Sequence, residues 1–123
     1  IKSAGGSEKG SEIADFALQF VGNPYVWGGT SLTNGADCSG FVQSVYKNFG
    51  ISIPRTSAEQ SKFGKKVSFE DLQPGDLVFY AGHVVMSIGD GRIVLASSAK
   101  EGIKVGNDVT YRIILDIRRP WET

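Results

Sequence analysis

The chain has 123 residues, with 13 basic residues balanced by 13 acidic ones, 41% apolar residues and 21% charged residues. That length and composition suit one soluble globular domain with a real core. The even charge gives no footprint for nucleic acid or for an anionic membrane surface, and no apolar run approaches the roughly 20 residues that span a bilayer.

The chain opens at Ile1 rather than Met, which suggests a processed piece of a longer protein. Residues 1–10 are small, polar and rich in Gly and Ser, so they read as a linker remnant ahead of a single domain over 11–123. A first helix is predicted over Ser11–Val21, with Ser11 as its cap and Ile13, Ala14, Ala17, Leu18 and Val21 at helical spacing. Gly22 and Asn23-Pro24 stop it, and Tyr25–Ala36 is a loop rich in Gly, Thr, Ser and Asn.

A second helix is predicted over Cys38–Phe49. Asp37 is a favourable N-cap, Phe41, Val42, Val45, Tyr46 and Phe49 form its apolar stripe, and Gly50 ends it. Ile53-Pro54 is extended, and a short helical turn falls within Ser57–Phe63. The period then changes. Asp76–Tyr80, His83–Ile88, Arg92–Ala96 and Tyr111–Ile117 read as strands, with a hairpin at Asp90-Gly91. Helices first and antiparallel strands after define an α+β domain.

Cys38 is the only cysteine and His83 the only histidine. That excludes an internal disulfide and falls short of a metal-ligand set, so neither metal nor cofactor is expected. A lone Cys is commonly a small core residue, but Cys38 stands at the first turn of a predicted helix. Unpaired N–H groups and the helix dipole there favour a thiolate and could hold an oxyanion. Gly40 would let another group approach the helix start. His83 follows Gly82 at a strand start. It reads either as a structural histidine or as the base that a nucleophilic thiol requires.

Four ordered stretches carry a resemblance: Tyr25-Val-Trp-Gly-Gly29; Asp37-Cys-Ser-Gly-Phe41; Pro54-Arg-Thr-Ser57 with Gln60; and Gly75-Asp-Leu-Val-Phe79 followed by Gly82-His83-Val84. In this order the chain resembles the NlpC/p-sixty family of bacterial cell-wall cysteine peptidases, over nearly its whole length after residue 11. The resemblance implies a compact papain-like fold, with N-terminal helices packed on a C-terminal antiparallel sheet. It implies Cys38 as nucleophile and His83 as general base, cutting peptidoglycan stem peptides, most often between γ-linked D-Glu and a diamino acid. Tyr25 and Ser39 would hold the oxyanion or substrate. Asp37, Trp27, Arg55, Thr56 and Ser57 would contact substrate or line the cleft. The implied partner is the stem peptide, the location extracellular at the cell wall, and the isolated domain a monomer.

Structural readings stand beside these roles. Tyr25 and Trp27 also read as a packed loop, Asp37 as a helix cap only, and Arg55 as the partner of an exposed acid. Gln60 and Gly75-Asp76 read as turn and packing positions.

One departure matters. The family's third polar residue falls at Leu95 in Arg92-Ile-Val-Leu-Ala-Ser-Ser98. Leucine cannot accept a hydrogen bond from the second nitrogen of His83, and that bond normally fixes the tautomer of the base. Three readings follow: a weakened enzyme, a substitute such as Ser97 or a backbone carbonyl, or a binding module that no longer cuts. Acyl transfer by the same Cys–His pair is a further alternative. Val85 also stands where many members have Gly, which would narrow the cleft.

Overall fold

A computed structural model describes residues 2–123. Helix α1 spans Glu8–Leu18, starting earlier than the sequence suggests, because Ser7 rather than Ser11 is its cap. The Ser7 hydroxyl accepts from the Gly10 N–H. Ser11 lies inside the helix, and its hydroxyl donates to the Gly5 carbonyl. Gly10 is tolerated there because a Cβ would meet the Pro74 carbonyl oxygen at 2.2 Å. The segment read as linker therefore contributes to the fold: residues 8–10 are the first turn of α1, and the Ala4 N–H donates to the Ile88 carbonyl at 2.9 Å.

A small ribbon follows, β1 (Thr30–Ser31) paired with β2 (Gly35–Ala36). Next come α2 (Cys38–Lys47) and the one-turn α3 (Ser57–Gln60). The remaining strands are β3 (Lys65–Lys66), β4 (Leu77–Tyr80), β5 (His83–Gly89), β6 (Arg92–Ser98), β7 (Gly102–Gly106) and β8 (Asp116–Arg119). These six form one sheet in the order β3-β8-β4-β5-β6-β7, with every neighbouring pair antiparallel. The architecture is the expected α+β class. The Asp90-Gly91 turn joins β5 to β6 with positive φ at both residues (55° and 72°), as a two-residue hairpin demands.

Strand alternation sends residues to opposite faces of the sheet. Leu77, Phe79, Val84, Met86, Ile88, Val94 and Ala96 pack against Ile13, Ala17, Phe41, Val42 and Val45 of the two long helices. Val78, Tyr80, Val85, Ile93, Leu95 and Ile117 build a second cluster on the other face, under Val109. Across the sheet, buried Asp76 at the entry to β4 takes a bidentate contact from Arg119 of β8, at 2.8 and 2.9 Å.

Two strand assignments change. Gly102–Gly106 is a strand, β7, beyond a short turn after β6. Tyr111–Ile117 is not one, since only Asp116 onward joins the sheet, as β8. Tyr111, Ile113 and Leu115 alternate as in a strand, but all three are exposed, Ile113 at 83%. The Asp108 carboxylate accepts from the Thr110 N–H at 2.8 Å, an Asx turn that diverts the backbone from pairing.

Candidate active site

Asp37 begins the site by ending a loop. Its carboxylate accepts the Gly40 N–H at 2.8 Å, capping α2, and the Gly28 N–H at 3.0 Å, tying the Tyr25–Gly29 loop to the helix start. Arg55 donates to both carboxylate oxygens, at 3.2 and 3.1 Å, and to the Ser39 hydroxyl at 2.8 Å. Burial alone would raise the Asp37 carboxyl. The Arg55 guanidinium and the Gly40 and Gly28 N–H groups outweigh it and hold the group below the ordinary carboxylate range. Arg55 thus pairs with a buried acid rather than an exposed one. Gln60 reinforces the corner, its amide nitrogen donating to the Ser39 and Pro54 carbonyls at 3.1 and 2.8 Å.

The space that Gly40 leaves is filled by the chain itself. A Cβ on Gly40 would lie 2.1 Å from the Gly29 carbonyl oxygen, which also accepts the Asp37 N–H at 3.1 Å. Gly40→Ala is expected to push these two backbones apart and destabilise the domain by ~1–3 kcal/mol. A urea midpoint that drops accordingly is the check; an unchanged midpoint would mean that the loop yields freely.

Cys38 is therefore the first residue of α2, half-buried against the helix-side core. The backbone N–H of Val84, and those of Ser39 and of Cys38 itself, face the sulfur and favour its charged form. Burial acts more strongly than these groups, and the nearby Asp37 carboxylate adds to burial, so the thiol is raised rather than lowered. This reverses the expectation drawn from the helix start alone. Tyr25 lies beside the thiol. Burial first, then Cys38 and Asp37, raise its hydroxyl, which keeps its proton and can donate.

Val84 immediately follows His83, so the strand that meets the sulfur also carries the only imidazole. His83 opens β5 and is largely buried. Its ring stacks on Tyr80 with centroids 5.9 Å apart, and its Nε2 lies 3.1 Å from the Tyr111 hydroxyl. Burial, helped by the Arg112 guanidinium, pushes its pKa down to about 4. These shifts favour the neutral thiol and the neutral imidazole.

Other expected positions fall differently. Leu95 is 5% exposed and packed in the apolar cluster with Val85 and Ile93, on the sheet face that also carries Tyr80. Ser97 does not reach His83, because its hydroxyl donates to Glu101 at 2.8 Å. Trp27 is 86% exposed, so its ring packs on nothing and faces solvent. Thr56 caps α3, accepting the Glu59 N–H at 3.3 Å, and Ser57 lines a cleft. That cleft, of about 330 Å³, is bordered by Ser57, Ser61, Tyr80 and Gly82. A second, of about 340 Å³, is bordered by Leu95, Lys104, Tyr111 and Arg112. Tyr111, like Tyr80 and Arg112, is a neighbour of His83 that sequence reasoning missed. Its residue type was the only signal, since it stands in a stretch that reads as strand.

A mixed fold with a thiol at a helix start against a histidine-bearing strand defines a papain-like class of domain. Comparison with known proteins narrows the class. The family model described as "NlpC/P60 family" matches residues 22–113, and the chain belongs to that family. A γ-D-glutamyl-L-lysine dipeptidyl-peptidase of Bacillus cereus is 45% identical over 102 residues, which cover 76% of this chain and 30% of that protein. A solved NlpC/P60 family protein from Bacillus cereus superposes with a TM-score of 0.83 at 36% identity, covering 98% of this chain and 41% of that one. The NlpC/p60 domain of the peptidoglycan hydrolase SagA gives 0.80 at 34% identity, covering 89% and 97%. The chain spans about a third of the length of the curated relatives that it matches.

Proposed function

We propose that this domain is a cysteine peptidase of cell-wall stem peptides, cutting the bond between γ-D-Glu and a diamino acid. The observation that carries the reading is the placement of the only thiol at the α2 N-terminus, against the N–H of Val84, the residue that follows the only imidazole in the chain. The name of the Bacillus cereus relative supports the choice of bond, and the SagA domain supports the polymer.

In this reading the Cys38 sulfur attacks the scissile carbonyl carbon as its proton passes to His83. The pair rests neutral, so attack and proton transfer are coupled and no thiolate is stored beforehand. The helix-start N–H groups and the Tyr25 hydroxyl stabilise the oxyanion. Collapse expels the amine of the diamino acid, which takes the proton from His83. Water, with His83 again as base, then releases the acyl group from sulfur. Ser39, Asp37 and Arg55 shape the helix start, and Trp27 and Ser57 stand free to meet the peptide. No step calls for a metal or cofactor. Action at the cell wall, outside the cytoplasm, and as a monomer belongs to the same proposal.

Incubation with γ-D-Glu–L-Lys and γ-D-Glu–diaminopimelate peptides, read by mass spectrometry, tests it. Cleavage is expected for at least one peptide, and Cys38→Ala is expected to abolish it while the circular dichroism spectrum is unchanged. Undiminished cleavage by Cys38→Ala would remove the thiol from the chemistry. The burial of Leu95 at the third position favours one other reading, a module that binds the stem peptide without cutting. Peptide binding with no product from the unaltered chain would establish that reading instead.

A further inference from the structure

The buried Leu95 leaves His83 without the partner that a catalytic imidazole ordinarily has on its second nitrogen, yet that nitrogen is not bare. Its neighbour comes from the connection between β7 and β8, 28 residues further along the chain, where the Tyr111 hydroxyl lies 3.1 Å from Nε2. Two features hold Tyr111 there. Its ring meets Tyr80 edge-on, with centroids 5.3 Å apart at 76°, and Tyr80 is anchored by its own hydroxyl on the Val109 carbonyl at 2.7 Å. The backbone of the same stretch is closed by the Tyr111 N–H on the Asp108 carbonyl at 3.1 Å. His83 thus has its face against Tyr80 and its edge against Tyr111.

We propose that Tyr111 is the positioning residue for His83, its hydroxyl oxygen accepting the Nε2–H in place of the polar group that Leu95 cannot supply. This deepens the peptidase reading above and rests on it for its catalytic consequence. With the proton on Nε2, the lone pair is on Nδ1, the nitrogen left to take the thiol proton. If the phenol donated instead, the proton would sit on Nδ1 and the base would be lost. A hydroxyl accepts either arrangement, whereas a side-chain carbonyl enforces the first. Tyr111 is therefore a weaker orienter than a side-chain amide. Tyr111 is 45% exposed, so its hydroxyl hydrogen can turn to solvent while the oxygen accepts. Burial raises its pKa, which keeps it a neutral acceptor.

Because His83 is the only histidine, its imidazole nitrogens are observable without assignment ambiguity. Nitrogen-15 spectra of uniformly labelled protein at pH 7 are expected to show mainly the Nε2–H tautomer, and Tyr111→Phe to lose that preference. Superimposable His83 spectra for the two proteins would overturn the pairing. In turnover, Tyr111→Phe is expected to lower kcat about 10-fold with KM little changed. Leu95→His, which restores a polar partner, is expected to raise kcat more in the Tyr111→Phe background than in the unaltered chain. Equal gains in both backgrounds would overturn the positioning role, since a merely structural tyrosine would not depend on position 95. Spectra that respond in a chain that cuts neither peptide would sustain the pairing and overturn the peptidase reading.

Discussion

His83→Ala is expected to lower kcat by about 10²–10⁴-fold while leaving the fold intact, the range that a positioned general base contributes. In the proposed mechanism the same group sets the acid side of the rate profile. The imidazole acts only when unprotonated, and its pKa is about 4 rather than the ordinary 6.5. Lowering the pH from 7 to 5 is therefore expected to leave kcat/KM nearly flat, with the fall centred near pH 4. A stopped assay over pH 3–8 checks it. A half-maximal rate near 6.5 would show that His83 is solvated in the working enzyme, contrary to its place against Tyr80. Raising the thiol acts at the other end: alkylation of free Cys38 by iodoacetamide is expected to be slow at pH 7, so slow labelling does not distinguish a binding module from a peptidase.

The largest stability effect is expected at Asp76. Its carboxylate is buried and held bidentately by Arg119, itself buried, and the Arg119 guanidinium also donates to the Asp71 carbonyl at 2.9 Å. Asp76→Ala leaves that guanidinium buried without its acid, at a cost of about 3–5 kcal/mol. Because the pair joins the entry of β4 to the end of β8, its loss loosens the middle of the sheet rather than a rim. Chemical denaturation followed by tryptophan fluorescence would report it, since the Arg119 guanidinium lies 5.6 Å from the Trp121 ring centre. A loss under 1 kcal/mol would mean that water reaches Arg119 and replaces the carboxylate.

What the sequence makes legible is what local chemistry decides. The start of α2 was readable because Asp37 precedes a run of helical period. The β5–β6 hairpin was readable because Asp90-Gly91 supplies two residues that tolerate positive φ. Cys38 and His83 stood out as the single thiol and single imidazole of the chain. Features that depend on what lies across the fold were misread. A helix start argues for a low thiol pKa, and only the packed structure reveals that burial outweighs it. Gly40 suggested a close approach to the helix start without saying by what, and the neighbour is the Gly29 carbonyl of the chain itself. The alternation at Tyr111, Ile113 and Leu115 mimics a strand because period two says nothing of whether another strand is free to pair. Tyr111 was hidden for the same reason: its contact spans distant residues, and no spacing rule links a tyrosine in a connection to a histidine at a strand start.

The two rims of the sheet bear on how the domain behaves when many copies crowd together. One rim, β3, is only Lys65 and Lys66, too short and too charged to template another chain. The other, β7, is occupied at the start of its outer side: the Gly22 N–H donates to the Ile103 carbonyl at 2.8 Å, and the Ile103 N–H to the Asn23 carbonyl at 2.9 Å. The turn that follows α1 thus serves as a selvedge. One rim is thus short and charged and the other partly covered, which leaves little open ladder through which crowded copies could join their sheets.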